Sequence, residues 1–310
     1  MQKGRKTAVI SGASSGIGHA CVEAMSRAGW QVFAAVRRTS DIDRFEAKAL
    51  PGVTPLLMDL ENSGSISAAA EKVLSRTSGL DGLANVAGIG MFGPLEYVSA
   101  GDWQKIFHVN VFGQISVTQA FLPLLHKKRG RIVNISSVGA HIAIPFAGLL
   151  NASKSAFGCL SDTLRLELRP FGIRVCTVEP GSIATPAVDK MLGDVEGVIG
   201  KLPGQGRAQY AEILRTVGKR GYEREKSGSP PEVVARAVHH ALTAERPRIR
   251  YRVGKDARLI AALPRFLPDW ILDEFRLRAL GLPTQLGSAA ERPKAGKFRE
   301  PGNIGQLELE

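Results

Sequence analysis

The run Ser11-Gly12-Ala13-Ser14-Ser15-Gly16-Ile17-Gly18 follows a short apolar stretch and opens a segment of helical periodicity. Glycines spaced Gly-x-x-x-Gly-x-Gly permit a tight turn and let an anion approach backbone amides at a helix N-terminus, where the helix dipole also favours negative charge. Between a strand and a helix, the chemistry that fits this spacing is the binding of a dinucleotide pyrophosphate. At the end of the next apolar run, where NAD-binding folds place an acidic side chain for the ribose hydroxyls, stand Arg37 and Arg38. Two guanidiniums there suit a 2′-phosphate through forked, charge-assisted hydrogen bonds, so NADP(H) is expected ahead of NAD(H). Met58-Asp59-Leu60 and Asn85-Val86-Ala87-Gly88 close two further apolar runs. Alone they mark strand ends; in series they have the order of contacts needed for one extended ligand.

Positioning these groups requires strands that deliver their C-terminal ends to one crevice. Apolar runs of strand length fall at residues 6–10, 31–36, 53–58, 82–86, 131–135, 174–178 and 248–253, and stretches of helical length at 17–28, 63–76, 102–126 and 150–169. This alternation predicts an α/β fold, a single-domain, doubly wound, Rossmann-like parallel sheet of about seven strands with helices on both faces. The expected domain covers residues 1–282. Within it, residues 185–229 form a segment of irregular helical pieces expected to act as a substrate lid. Residues 255–282 are expected to form C-terminal helices, with a helix-like stretch from Pro264 to Leu282 packed on the domain or a second subunit. Residues 283–310 lack periodicity and are expected to be a disordered or partner-swapped tail.

The chain has 310 residues, 44% of them hydrophobic, and a formal charge of +12. That charge suits an acidic partner or a polyphosphate ligand, but much of it reads as solubilising surface, and no block of consecutive basic residues argues for nucleic acid. Cys21, Cys159 and Cys176 lie far apart among apolar or small residues, which predicts reduced, buried thiols and an intracellular, cytoplasmic setting. The six histidines give no ligand-spaced set, so no metal is expected.

Together, the Gly12 to Gly18 motif, Asn85 to Gly88, Asn110 in His108-Val109-Asn110, Ser137, Lys154 and Glu179-Pro180-Gly181-Ser182-Ile183-Ala184-Thr185 resemble the short-chain dehydrogenase/reductase family from about Lys6 to Val253. The segment pattern is most similar to members acting on steroids, retinoids and other lipophilic alcohols and ketones. The resemblance implies Ser137, Lys154 and Asn110 as the catalytic set. It implies cofactor contacts from Gly12, Ser14, Ser15, Gly16, Ile17, Gly18, Arg37, Arg38, Asp59, Leu60, Asn85, Ala87, Gly88, Lys154, Pro180, Gly181, Ile183 and Thr185.

In that family a tyrosine precedes the lysine by four residues, so both side chains lie on one helix face over the nicotinamide. Its phenol protonates the substrate oxygen as hydride reaches the carbonyl carbon. Here the position is Leu150. Leucine donates no proton, and a general acid contributes about a hundred- to ten-thousandfold in rate, so ordinary ketone reduction is expected to be impaired. Of the four tyrosines, only Tyr97 falls near the expected substrate mouth, where a surface or wall position is the simpler reading. His141, four residues after Ser137, is a second candidate acid, with a solvent-facing or backbone-bonded loop histidine as its simpler reading.

Several functions remain open: reduction of a hydrophobic substrate by altered chemistry, such as conjugate reduction of an enone; a non-redox cyclase, isomerase or lyase; an engineered inactive variant of a ketone reductase; and a non-catalytic NADP(H)-binding regulator. The expected partners are a hydrophobic small molecule and further copies of the chain in a homodimer or homotetramer. Contact with a membrane surface is the less favoured reading of residues 264–282.

Overall fold

The computed structural model describes residues 5–284. Seven strands, β1 (Thr7–Ile10), β2 (Gln31–Val36), β3 (Val53–Leu57), β4 (Gly82–Asn85), β5 (Arg131–Ile135), β6 (Arg174–Pro180) and β7 (Arg250–Val253), form one parallel sheet in the order β3-β2-β1-β4-β5-β6-β7. The order reverses between β1 and β4. In a doubly wound sheet the crossovers leave such a point to opposite faces, and a crevice opens beyond the strand ends.

Each central strand is buried on both faces, and successive residues feed two different cores. Ala8 and Ile10 join Cys21, Val22 and Met25 of α1 (Gly16–Arg27) and Val234 and Val238 of α10 (Glu232–Thr243). Val9 instead joins Ile66 and Val73 of α3 (Ser63–Leu74) and Val117, Phe121 and Leu124 of α5 (Gly113–Lys128). The expected fold class is therefore the observed one.

Four local readings need correction. Helix α2 (Thr39–Lys48) was not expected; only Ile42 and Phe45 in it are large and apolar, and Phe45 alone is buried, so its periodicity is faint. The single helix expected over 102–126 is α4 (Ala100–Phe107), a π turn (His108–Phe112) and α5. The region expected to hold irregular pieces forms regular helices α7 (Pro186–Leu192), α8 (Val195–Lys201) and the 23-residue α9 (Gly204–Lys226). Ile199, Leu202 and Leu214 give these helices a small core of their own, closed by Phe92, Tyr97 and Phe146. Finally, the stretch from Pro264 divides into α11 (Ala257–Phe266) and α12 (Asp269–Leu280). The break falls at Leu267-Pro268, where proline lacks an amide hydrogen and disfavours a helical residue before it.

Among the described residues no helix is long and apolar enough to cross a membrane. The tail expected at 283–310 lies, from residue 285 onward, outside the described residues. Cys21 and Cys176 are buried, as expected, and burial pushes their thiols up to about 12 and about 11 respectively; Cys159 is exposed, contrary to expectation.

Candidate active site

The crevice is held open by main-chain geometry. Gly12 sits at φ +64°, and a Cβ there would come within 2.6 Å of the Ala87 Cα. A Cβ on Gly18 would strike the Gly12 carbonyl. The turn therefore packs against the end of β4 in a way that side chains would prevent. Ser11 fastens the two together, its Oγ accepting from the amides of Val86 at 2.9 Å and Ala87 at 3.1 Å.

The resulting cleft, about 620 Å³, is lined by Gly12, Ser14, Ser15, Gly16, Ile17, Gly18, Arg37, Arg38, Asp59, Leu60, Ala87, Gly88 and Thr185, all expected from the sequence. Its glycine cradle and paired arginines fit a dinucleotide. Arg37 lies 4.0 Å from Glu61, whereas Arg38 has no ion pair among the described residues. Sequence reasoning missed Asp41, Arg44, Lys105 and Lys190, which also line it. Recognising helix α2 would have pointed to Arg44, which pairs with Asp41 one turn away.

Five expected cofactor residues, Asn85, Lys154, Pro180, Gly181 and Ile183, stand off the cleft wall. Asn85 is fully buried and donates from Nδ2 to Thr118 Oγ1 and Asn134 Oδ1, each at 2.9 Å, so it ties β4 to its neighbours. Pro180 ends β6, a Cβ on Gly181 would meet Asp256 and Ala257, and Ile183 lies in the core beside β6.

Two of the three expected catalytic residues, Asn110 and Lys154, meet beside Gly88. Asn110 comes from the π turn, where one extra residue in the turn redirects a side chain inward. Its Oδ1 accepts from the Ile89 amide at 2.8 Å, and its Nδ2 donates to the Ile89 carbonyl at 2.9 Å and to Ser153 Oγ at 3.0 Å. Lys154, on helix α6 (Gly148–Glu167), donates to the Ile135 carbonyl at 2.9 Å. A Cβ on Gly88 would stand 3.3 Å from Asn110 Oδ1 and 3.4 Å from Lys154 Nζ. Burial disfavours the ammonium and brings the Lys154 pKa down to about 8. Ser137 begins a short 3₁₀ turn, its Oγ accepting from the Gly139 amide at 3.0 Å.

Leu150 lies one turn before Lys154 and is half-buried. Its Cδ2 would be 3.7 Å from a Cβ on Gly90, and the sulfur of Met191 from α7 crowds the same spot still more closely. Two apolar side chains, one from α6 and one from α7, thus converge over Gly90.

Neither candidate replacement acid stands free. Tyr97 donates to Gln209 Oε1 at 3.2 Å and packs edge-on against Tyr210; desolvation and the Glu96 carboxylate push its phenol pKa up. The expectation of a solvent-facing or backbone-bonded His141 is overturned, because its Nε2 lies 2.9 Å from Glu179 Oε1. Glu179 is buried and also receives Arg250 at 2.7 Å and Arg252 at 3.3 Å. Burial opposes its ionisation, but hydrogen bonds and charges from His141 and Arg250 outweigh that and hold the carboxyl below its ordinary value.

The sequence profile of the family described as short chain dehydrogenase matches residues 6–195. The chain belongs to the short-chain dehydrogenase family. It is 34% identical to retinol dehydrogenase 5 of Mus musculus over 284 residues, covering 89% of each protein. Among solved structures, this short-chain dehydrogenase resembles one from Burkholderia cenocepacia in complex with NADP, with 26% identity, a TM-score of 0.67, and 89% and 99% of the two chains covered. It also resembles one from Burkholderia phymatum in complex with NAD, with 25% identity, a TM-score of 0.69, and 91% and 96% covered. The short-chain dehydrogenase is thus an NAD(P)-binding oxidoreductase, with its cleft at the reversal point of the sheet.

Proposed function

We propose that this short-chain dehydrogenase uses NADP(H) on a hydrophobic small molecule, by a chemistry that delivers no proton to a substrate oxygen from position 150. Conjugate reduction of an activated carbon–carbon double bond is the reaction class that fits. The observation that carries this reading is Leu150 one turn before Lys154, where Lys154 and Asn110 meet at Gly88 and Ser137 follows the end of β5.

The nicotinamide, when bound, supplies or accepts hydride at a substrate carbon. Ser137, whose oxygen accepts from Gly139, would present its hydroxyl hydrogen to the substrate oxygen and hold the enolate charge that develops there. Lys154 would hold the cofactor ribose and, at a pKa near 8, add positive charge beneath it. Asn110 would position the Ile89 segment and Ser153. With an enolate as intermediate, the final proton goes to carbon and can come from water, so a phenol at position 150 is not required.

Arg37, Arg38 and Arg44 along the cleft support preference for the 2′-phosphate. Likeness to retinol dehydrogenase 5 and the apolar residues of α7 to α9 support a lipophilic substrate, with residues 185–229 as its lid. The decisive experiment incubates the protein with NADPH and a panel of lipophilic ketones and enones, following cofactor oxidation and product mass together. Saturated ketone from enone, with matching NADPH loss, is the expected result. Product formed without cofactor oxidation would reject the redox reading in favour of a cyclase, isomerase or lyase.

A further inference from the structure

Helix α7 crosses the dinucleotide cleft and is held at both ends. At its start, a Cβ on Gly16 would stand 3.2 Å from Thr185 Cβ and 3.8 Å from Pro186 Cδ, so the helix sets out from the glycine turn itself. Towards its end, a Cβ on Gly90 would strike the sulfur of Met191. Between these contacts its faces are divided. Val188 and Leu192, four residues apart, are buried. Asp189 accepts from Tyr222 Oη at 2.8 Å and from Lys226 Nζ at 3.1 Å, which ties α7 to α9. Ala187 and Lys190, three residues apart and so on one face, line the cleft.

Lys190 is exposed, and its ammonium is in no ion pair among the described residues. The carboxylates that line the same cleft are engaged elsewhere: Asp41 with Arg44, Glu61 with Arg37 at 4.0 Å, and Asp59 Oδ1 with the Glu61 amide at 3.0 Å. The cation therefore faces the cleft with no carboxylate to neutralise it. What the glycine turn and the N-terminus of α1 are built to seat there is an anion. From Pro186, packed on that turn, to Lys190 is about one helical turn, roughly 6 Å of rise, a span that a lysine side chain on its four-carbon stem bridges.

We propose that Lys190 binds the pyrophosphate of the dinucleotide from the α7 side, opposite the glycine turn, and so makes α7 part of the cofactor site. Pyrophosphate is common to NADP(H) and NAD(H). Lys190, unlike Arg37 and Arg38, thus adds affinity without choosing between them. The inference rests on the cleft as the dinucleotide site, and on neither the cofactor preference nor the reaction proposed above.

Binding to the full chain tests it without turnover, with NADPH and NADH followed by nicotinamide fluorescence and ADP-ribose by calorimetry. Lys190→Met, which keeps most of the stem and removes the charge, should weaken all three ligands by similar factors, about tenfold. Lys190→Arg should stay within about threefold of wild type, since a guanidinium also pairs with phosphate. Lys201→Met removes the same charge from α8, off the cleft wall, and should leave all three affinities unchanged. Thermal unfolding without cofactor should be alike in every variant, because Lys190 and Lys201 are exposed. Loss confined to NADPH would move Lys190 to the 2′-phosphate, and loss that spares ADP-ribose would move it to the nicotinamide half; either overturns the assignment. Unchanged binding by Lys190→Met, or an equal loss in Lys201→Met, would overturn it too. Failure of the wild-type chain to bind any of the three ligands would refute the dinucleotide cleft, and the inference with it.

Discussion

The cleft beneath the Gly12 turn and the pair Asn110 and Lys154 meet at Gly88, yet they are assembled differently. The cleft is made by main chain: glycines that admit no Cβ, a serine bridging two loops, and the reversal of strand order. The other face is made of individual groups brought from the π turn, the end of β5 and α6, each with one role. On the proposed function, exchanging one of them would change the chemistry and leave the fold alone, as with leucine at position 150 beside the glycine-lined cleft.

The strongest attempt to break this contrast is Leu150→Tyr. If the two regions are separable, the new phenol should raise reduction of lipophilic ketones by about a hundred- to ten-thousandfold, measured as NADPH oxidation with NADPH affinity unchanged. Unchanged turnover would mean that Met191 and Gly90 have been rebuilt around leucine and that the face is not modular.

The cleft has its own counterpart test. Replacing Arg37 and Arg38 together by alanine should weaken NADPH on the order of a hundredfold while leaving NADH within a few fold, read by nicotinamide fluorescence. Equal weakening of both cofactors would assign the arginines to the pyrophosphate instead.

Glu179→Gln probes the support behind the face. Removing this buried charge leaves Arg252 and His141 without their carboxylate and Arg250 with Asp162 alone, and denaturant unfolding should show a loss of about 3 kcal/mol. Because the fold lowers the Glu179 pKa, its stabilisation is full above the ordinary glutamate value and is lost as pH falls through the lower folded value. The gap between wild type and variant should therefore close in acid; a gap independent of pH would point to packing rather than charge.

The smallest effect belongs to Lys154. Its pKa is depressed to about 8, so below that pH the cofactor-free protein holds a buried ammonium that the unfolded chain carries freely in water. Stability relative to Lys154→Met should rise by about 2 kcal/mol between pH 7.5 and pH 10. A flat difference would show that the ammonium is solvated in the fold.

The glycine turn, the arginine pair and the strand pattern were legible because each is a local signal, set by spacing within a few residues. Leu150 was legible for the same reason, lying four residues before Lys154. The bonds from Asn85 to Thr118 and Asn134 were not legible, because a strand-end asparagine reads the same whether it faces a ligand or its neighbours in the fold. Glu179 joins His141 to Arg250 and Arg252 across separate parts of the chain, and no local spacing announces such a meeting. Lys190 reaches the cleft only because α7 folds back beside it.

The π turn at His108–Phe112 also fixes a phase relation. Deleting one of its residues would restore ordinary winding and leave α4 and α5 each intact, but would rotate one against the other by about 100°. Asn110 and the stripe Val117, Phe121 and Leu124 could then no longer both face inward. A surplus residue thus lets one continuous rod serve two faces that an uninterrupted helix would set out of step.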